Sequence, residues 1–152
     1  MSPAAALLCL VVAVSDGDTL HARCDIEGEQ QAIVVRLSEI DAPEKRQPWG
    51  DRSREHLAAL CFNKPATVRE ETRDRNRRMV ARVTCDGTDA NAEQVRAGMA
   101  WVFDRYVTDR GLYVVQAEAR RARRGLWSDV EPVPPWEWRR DARVAVPAAV
   151  AP

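Results

Sequence analysis

The chain has 152 residues, enough for one domain with a sizeable core, and its 45% hydrophobic and 30% charged content is ordinary for a globular protein. Twenty-three basic and twenty-three acidic residues cancel, so bulk charge names no partner, and no stretch approaches the roughly 18 apolar residues that cross a bilayer. Cys9, Cys24, Cys61 and Cys85 show no Cys-x-x-Cys spacing and form no ligand pattern with His21 or His56, which argues against a zinc site.

In chain order, residues 7–14 have the length and Val/Leu content of a strand, and the Asp16-Gly17 turn reverses the chain into a second strand over 19–25. Glu27-Gly28-Glu29 makes another turn, and a third strand runs over 32–40. Three short strands joined by tight turns predict a meander that curls into a barrel. After a polar loop with Pro48 and Gly50, Asp51 or Ser53 is expected to cap a helix that ends by Asn63-Lys64-Pro65. Residues 67–71 read as a fourth strand, 74–78 as a charged turn and 79–84 as a fifth strand closed by Asp86-Gly87. Asn91 is the expected cap of a short helix over 92–97. Leu112, Val115, Ala119, Ala122 and Leu126 keep the spacing of one face of a third helix that Gly125 ends. Residues 129–140, rich in Pro and Trp, are expected to lie extended, pinned by Trp136 and Trp138, and 141–152 to be disordered.

Chemistry concentrates in two stretches. Arg36, Asp41 and Glu44 lie within nine residues, around a strand end that Pro43 stiffens. A second acidic knot, Ser15-Asp16-Gly17-Asp18-Thr19, precedes it. If these strands are neighbours, Asp18 and Asp41 converge, and two carboxylates plus a carbonyl suit a hard cation. Arg36 and the Arg75–Arg78 segment supply planar guanidinium forks that hold phosphate oxygens, and Glu44 stands where it can orient or deprotonate a water.

Taken together, Val-Ser-Asp-Gly-Asp-Thr-Leu, then Val-Arg-Leu-Ser-Glu-Ile-Asp-Ala-Pro-Glu, then the later segments Asn91–Ala100 and Gly125–Ser128 resemble the staphylococcal nuclease family over residues 10–128. The resemblance implies Ca²⁺ bound by Asp18, Asp41 and the main-chain carbonyl of Ala42, with Arg36 and Glu44 catalytic. It assigns the second catalytic arginine to Arg78 by register, although the family's Tyr and Gly are replaced by Asn76 and Arg77. Losing that Gly calls for another residue in the left-handed region, and Asn76 is the expected one. Arg75 and Tyr106 are the expected nucleotide contacts.

The expected fold is mainly β with helices: an OB-fold-like five-stranded β-barrel with three α-helices, occupying residues 7–128. The expected function is calcium-dependent hydrolysis of phosphodiester bonds in DNA and RNA with low sequence specificity, single strands preferred, by a monomer. The alternative is a non-catalytic OB-fold module that binds nucleic acid or protein. Cys9 and Cys24 sit symmetrically about the Asp16-Gly17 turn, and Cys61 and Cys85 come to one end of the sheet, which predicts the disulfides Cys9–Cys24 and Cys61–Cys85. Two bridges imply an oxidising compartment, periplasmic or secreted, with the cytoplasm as the alternative. Residues 1–14 carry no Lys or Arg before their apolar run, so the expectation is either a cytoplasmic chain or an export signal upstream of this start.

Overall fold

Alternating burial is plainest in Met79–Cys85, where Met79, Ala81, Val83 and Cys85 are buried and the residues between them are not. In this computed structural model, residues 6–104 and 107–150 are described, with the side chains of 144–150 left aside. The order is β1 (Leu7–Asp16), β2 (Thr19–Ile26), β3 (Glu29–Leu37), β4 (Ile40–Asp41), α1 (Gly50–Cys61), β5 (Pro65–Arg73), β6 (Met79–Cys85), β7 (Thr88–Asp89), α2 (Ala90–Arg96), β8 (Trp101–Val102), α3 (Gly111–Arg121) and α4 (Pro135–Val150). A 3-10 turn, Gly125–Ser128, lies between α3 and α4.

The sheet runs β3-β2-β1-β5-β6, and β6 returns to pair with β3, so the five strands close into a mixed barrel. Every barrel pairing is antiparallel except the closing one, β3 with β6, where Arg36 faces Val80. Closure leaves the five barrel strands without a free edge. The inner positions, Val11, Leu20, Val35, Leu37, Val68, Met79 and Val83 among them, form one core with Leu57 of α1, Val95 of α2 and Leu112 of α3.

Both expected disulfides are present. Cys9 and Cys24 are directly opposite in the β1–β2 hairpin with Cα atoms 4.0 Å apart. Cys61 and Cys85 join the last residue of α1 to the last of β6, with Cα atoms 5.2 Å apart.

The structure corrects several local expectations. The third strand does not run unbroken to Ile40: it stops at Leu37, Glu39 takes a left-handed φ of 67°, and the chain resumes as β4. Neither Asp51 nor Ser53 caps α1, whose cap position is Trp49 without a side-chain bond; the Ser53 hydroxyl donates instead to the Met99 carbonyl at 2.6 Å. Asp89 caps α2 by accepting from Ala92 N–H at 3.0 Å, because Asn91 is buried and engaged elsewhere. Among the described residues there are four α-helices rather than three, the fourth starting inside the segment expected to be extended. Pro135 is its first residue, where a missing N–H costs nothing and the fixed φ suits a helix. The helix extends to Val150.

Candidate functional site

Each acid is delivered by its own strand end. Asp18 follows Gly17 in the β1–β2 turn, and Leu37 N–H donates to the Asp18 carbonyl at 2.8 Å, tying that turn to the end of β3. A Cβ on Gly17 would lie 1.7 Å from Ser53 Oγ and 2.8 Å from the Ala42 Cβ. Gly17 is therefore what lets the turn touch both α1 and the segment after Asp41. Asp41 is held by β4 pairing with β8, where it faces Trp101.

Two buried amides of α2 fix these segments from beneath. Asn91 donates to the Ser38 carbonyl at 2.9 Å and accepts from Val83 N–H at 3.0 Å, joining the end of β3 to β6. Gln94 donates to the Gly17 carbonyl at 2.7 Å and to the Ser53 carbonyl at 3.1 Å, while its Oε1 meets His56 Nδ1. Inside a core such amides persist only when satisfied, and these are. Sequence reading gave Asn91 a cap role and overlooked Gln94, because an amide at helical spacing looks the same whether it points in or out.

The expected convergence is observed. Arg36 Nη2 lies 3.6 Å from Asp18 Oδ2 and 3.5 Å from Asp41 Oδ1, so the two carboxylates flank one guanidinium. Arg36 Nη1 donates to the carbonyls of Leu37 and Ile40 at 2.7 and 2.9 Å, which anchors that guanidinium to the backbone. Ala42 N–H donates to Asp18 Oδ2 at 2.8 Å, and Thr19 Oγ1 to Asp18 Oδ1 at 3.0 Å. Burial opposes ionisation of Asp18, but Arg36, the Ala42 N–H and the hydroxyl and carboxyl neighbours prevail and hold it below the ordinary carboxylate range. Burial has the upper hand at Asp41 and pushes its carboxyl up, against the pull of two guanidiniums.

The second of those guanidiniums went unrecognised in the sequence. Arg139, on α4, donates through Nη2 to Asp41 Oδ2 at 2.7 Å and through Nη1 to Asp41 Oδ1 at 3.2 Å and Glu44 Oε1 at 2.6 Å. Glu44 thus stands beside Asp41 through a shared cation.

The remaining expected residues are placed less centrally. Asp74 accepts from Asn76 N–H and Arg78 N–H through Oδ1, at 2.9 Å each, and from Arg78 Nε through Oδ2 at 2.7 Å. Among the described residues this leaves the Nη nitrogens of Arg78 without a protein partner. Arg78 precedes by two residues Val80, the cross-strand neighbour of Arg36. Arg77, not Asn76, takes the left-handed conformation, with φ 64°, the position at which the resemblance puts a glycine. Arg75 is exposed on the same turn, and Tyr106 lies outside the described residues.

Asp16 adds a third acid. Its Oδ1 is buried with no hydrogen-bond partner among the described residues. Burial first, then the neighbouring Asp18, raise its carboxyl to about 7. The unfolded chain has the ordinary value of 3.8, so between these values the folded state binds the extra proton and this group's contribution to stability falls as pH rises from about 4 to about 7. In chelator, Asp16→Asn is therefore expected to match the parent near pH 4 and to gain roughly 1–2 kcal/mol above pH 7, a figure discounted for the solvent that reaches the group. Parallel stability profiles of the two proteins, measured by urea unfolding from pH 4 to 8, would refute it.

Asp18, Asp41 and the Ala42 carbonyl are hard oxygen donors on adjacent segments, and an orphaned Asp16 oxygen beside them is the mark of a place that wants positive charge. The donor set fits a divalent cation of the Ca²⁺ type. Among the described residues, no group of three or more His, Cys, Asp or Glu side chains is arranged to hold a metal, and the carboxylates face guanidiniums instead.

Comparison with known proteins identifies the family. The family described as staphylococcal nuclease homologue matches residues 34–129. A protein of Escherichia coli O157:H7 named as an uncharacterized endonuclease is 47% identical over 130 residues, 85% of this chain and 82% of that one. The micrococcal nuclease of Shigella flexneri is 40% identical over 146 residues, 89% and 82% of the two chains. A probable staphylococcal-like nuclease of rice is 36% identical over 109 residues, 72% of this chain but 33% of its own length. The family match covers Arg36, Asp41, Glu44 and Arg78 but not Asp18, and the chain belongs to the staphylococcal nuclease homologue family.

Proposed function

We propose that the protein is a calcium-dependent phosphodiesterase that cuts DNA and RNA internally with little sequence preference. The observation that carries this reading is the meeting of Asp18 and Asp41 on Arg36, with Glu44 beside Asp41. A structural ion pair has no need of two converging acids and a nearby third, whereas phosphoryl transfer needs charge neutralised, a phosphate held and a water aligned.

Asp18, Asp41 and the Ala42 carbonyl would hold the cation, which supplies Lewis-acid polarisation of a phosphoryl oxygen when bound. Arg36 would take the phosphate oxygens with a fork already held by the Leu37 and Ile40 carbonyls. Glu44 would orient the attacking water and accept its proton. A new P–O bond to the water oxygen forms as one ester P–O bond breaks, leaving a phosphate monoester and an alcohol, with no covalent enzyme intermediate. Arg78, anchored on Asp74 through Nε, would turn its Nη pair to the charge that builds on the phosphate. Single strands are the favoured substrate because a barrel groove tracks one backbone. The two disulfides favour a periplasmic or secreted site of action, and the protein would work as a monomer.

Digestion of single-stranded and plasmid DNA and of RNA with Ca²⁺, and with chelator in excess, tests the reading. Cleavage that needs the cation and disappears in Asp41→Ala is expected; cleavage of nothing under any divalent cation would end it. Arg78→Ala is expected to lower turnover by about 10²–10³, and Arg77→Ala far less. The reverse ranking in steady-state kinetics would hand the role to Arg77.

A further inference from the structure

We propose that Arg139 is a built-in stand-in for the divalent cation: its guanidinium takes the Asp41 oxygens that the cation would share with Asp18 and the Ala42 carbonyl, reaches on to Glu44, and competes with the cation for Asp41. This rests on the calcium reading above but concerns a segment, α4, that lies beyond residues 34–129, the span of the family match.

Three geometric facts carry the inference. The Arg139 fork takes both oxygens of Asp41, at 3.2 and 2.7 Å, and reaches Glu44 Oε1 at 2.6 Å with the same Nη1. Asp41 Oδ1 also has Arg36 Nη2 at 3.5 Å, so both Asp41 oxygens already face positive charge. Asp41 is 1% exposed, and a carboxylate so enclosed is costly to keep ionised without a counter-charge. A divalent cation draws on the same oxygens. Two cations within bonding distance of one carboxylate repel, so one must yield.

The way Arg139 is delivered fits a fixed place in the resting protein. Trp136, three residues earlier, packs its ring 5.7 Å from Trp101 and 5.8 Å from Phe103. Gln47 donates to the Val133 carbonyl at 2.6 Å, and the same Gln47 accepts from Glu44 N–H at 3.1 Å. The loop that bears Glu44 and the arm that bears Arg139 are thus bonded to each other. The aromatic contacts are independent of the ion pairs, so the Arg139 side chain can leave the acids while α4 stays docked. Arg140, its neighbour, is exposed and pairs only with Asp141 among the described residues.

Calcium affinity, read by isothermal titration calorimetry at low ionic strength where screening is least, separates competition from a merely structural role. The melting temperature of the chelated protein is the companion measurement. Arg139→Gln is expected to bind Ca²⁺ about tenfold more tightly, within the range usual for two coupled ligands, while melting lower without calcium because Asp41 and Glu44 lose a counter-charge. Arg139→Lys, which keeps the charge, is expected to bind calcium close to the parent. Arg140→Gln is expected to change neither quantity. A residue that only braces the site would lower stability and weaken calcium binding together. Equal or weaker calcium affinity in Arg139→Gln therefore overturns the proposal while leaving the calcium reading intact. Calcium binding by none of the proteins, the parent included, overturns both.

Discussion

Arg36→Ala is expected to cost two to three orders of magnitude in turnover, the loss seen when one preorganised transition-state donor is removed. Arg36 is the only side chain that touches both Asp18 and Asp41 among the described residues, with one nitrogen on the pair and the other on two backbone carbonyls. That anchoring matters because a guanidinium already in place need not be ordered during the reaction. The substitution also strips a counter-charge from two buried acids, so a stability loss of about 1–3 kcal/mol should accompany the kinetic one. Arg36→Lys separates the two effects. It restores a charge, and with it much of the stability, but not a planar fork, so turnover should stay low. Single-turnover kinetics beside urea unfolding would show this, and turnover in Arg36→Ala within about threefold of the parent would remove Arg36 from the machinery.

The same reasoning alters an expectation about the acids. Crowded carboxylates suggest that deleting one would relieve repulsion and leave the fold untroubled. The structure shows the crowd already neutralised. Asp18 accepts from Ala42 N–H and Thr19 and is ion-paired to Arg36, and Asp41 is paired to both Arg36 and Arg139. Removing either acid leaves buried donors behind, so stability should fall along with activity.

What could be read in advance follows physical range. The acid-bearing turns, Arg36 and Glu44 were legible because turn chemistry and strand alternation act over a few residues. The Cys9–Cys24 bridge was legible because hairpin symmetry about a tight turn fixes register. Arg139 lies 95 to 98 residues from its partners, and no local pattern marks a side chain whose purpose lies that far away. The Pro134-Pro135 pair read as a helix breaker when it is a helix start, since proline is costly in the interior of a helix but suits its first turn. At the Asp74–Arg78 turn, sequence preference gave the left-handed position to Asn76. The register of β5 against β6 and the hydrogen bonds to Asp74 put it on Arg77 instead.

Reduction of the two disulfides is expected to remove half or more of the folding stability. The bridges span 15 and 24 residues in sequence and close loops that do not overlap. Loop-closure entropy assigns them about 3 and 3.5 kcal/mol, against a usual total of about 5–15 kcal/mol for a domain. Cys9–Cys24 is the more dispensable of the two, because its partners already face each other within the hairpin and strand pairing preserves that register without it. Cys61–Cys85 joins a helix end to a strand end that only the tertiary fold brings together, so its loss should show more fully. Cys61→Ala/Cys85→Ala is therefore expected to fall further in urea midpoint than Cys9→Ala/Cys24→Ala. The parent in strong reductant should fall below both. If reductant leaves the midpoint of the parent where it was, the bridges carry no stability, and the argument from them to an oxidising compartment goes too.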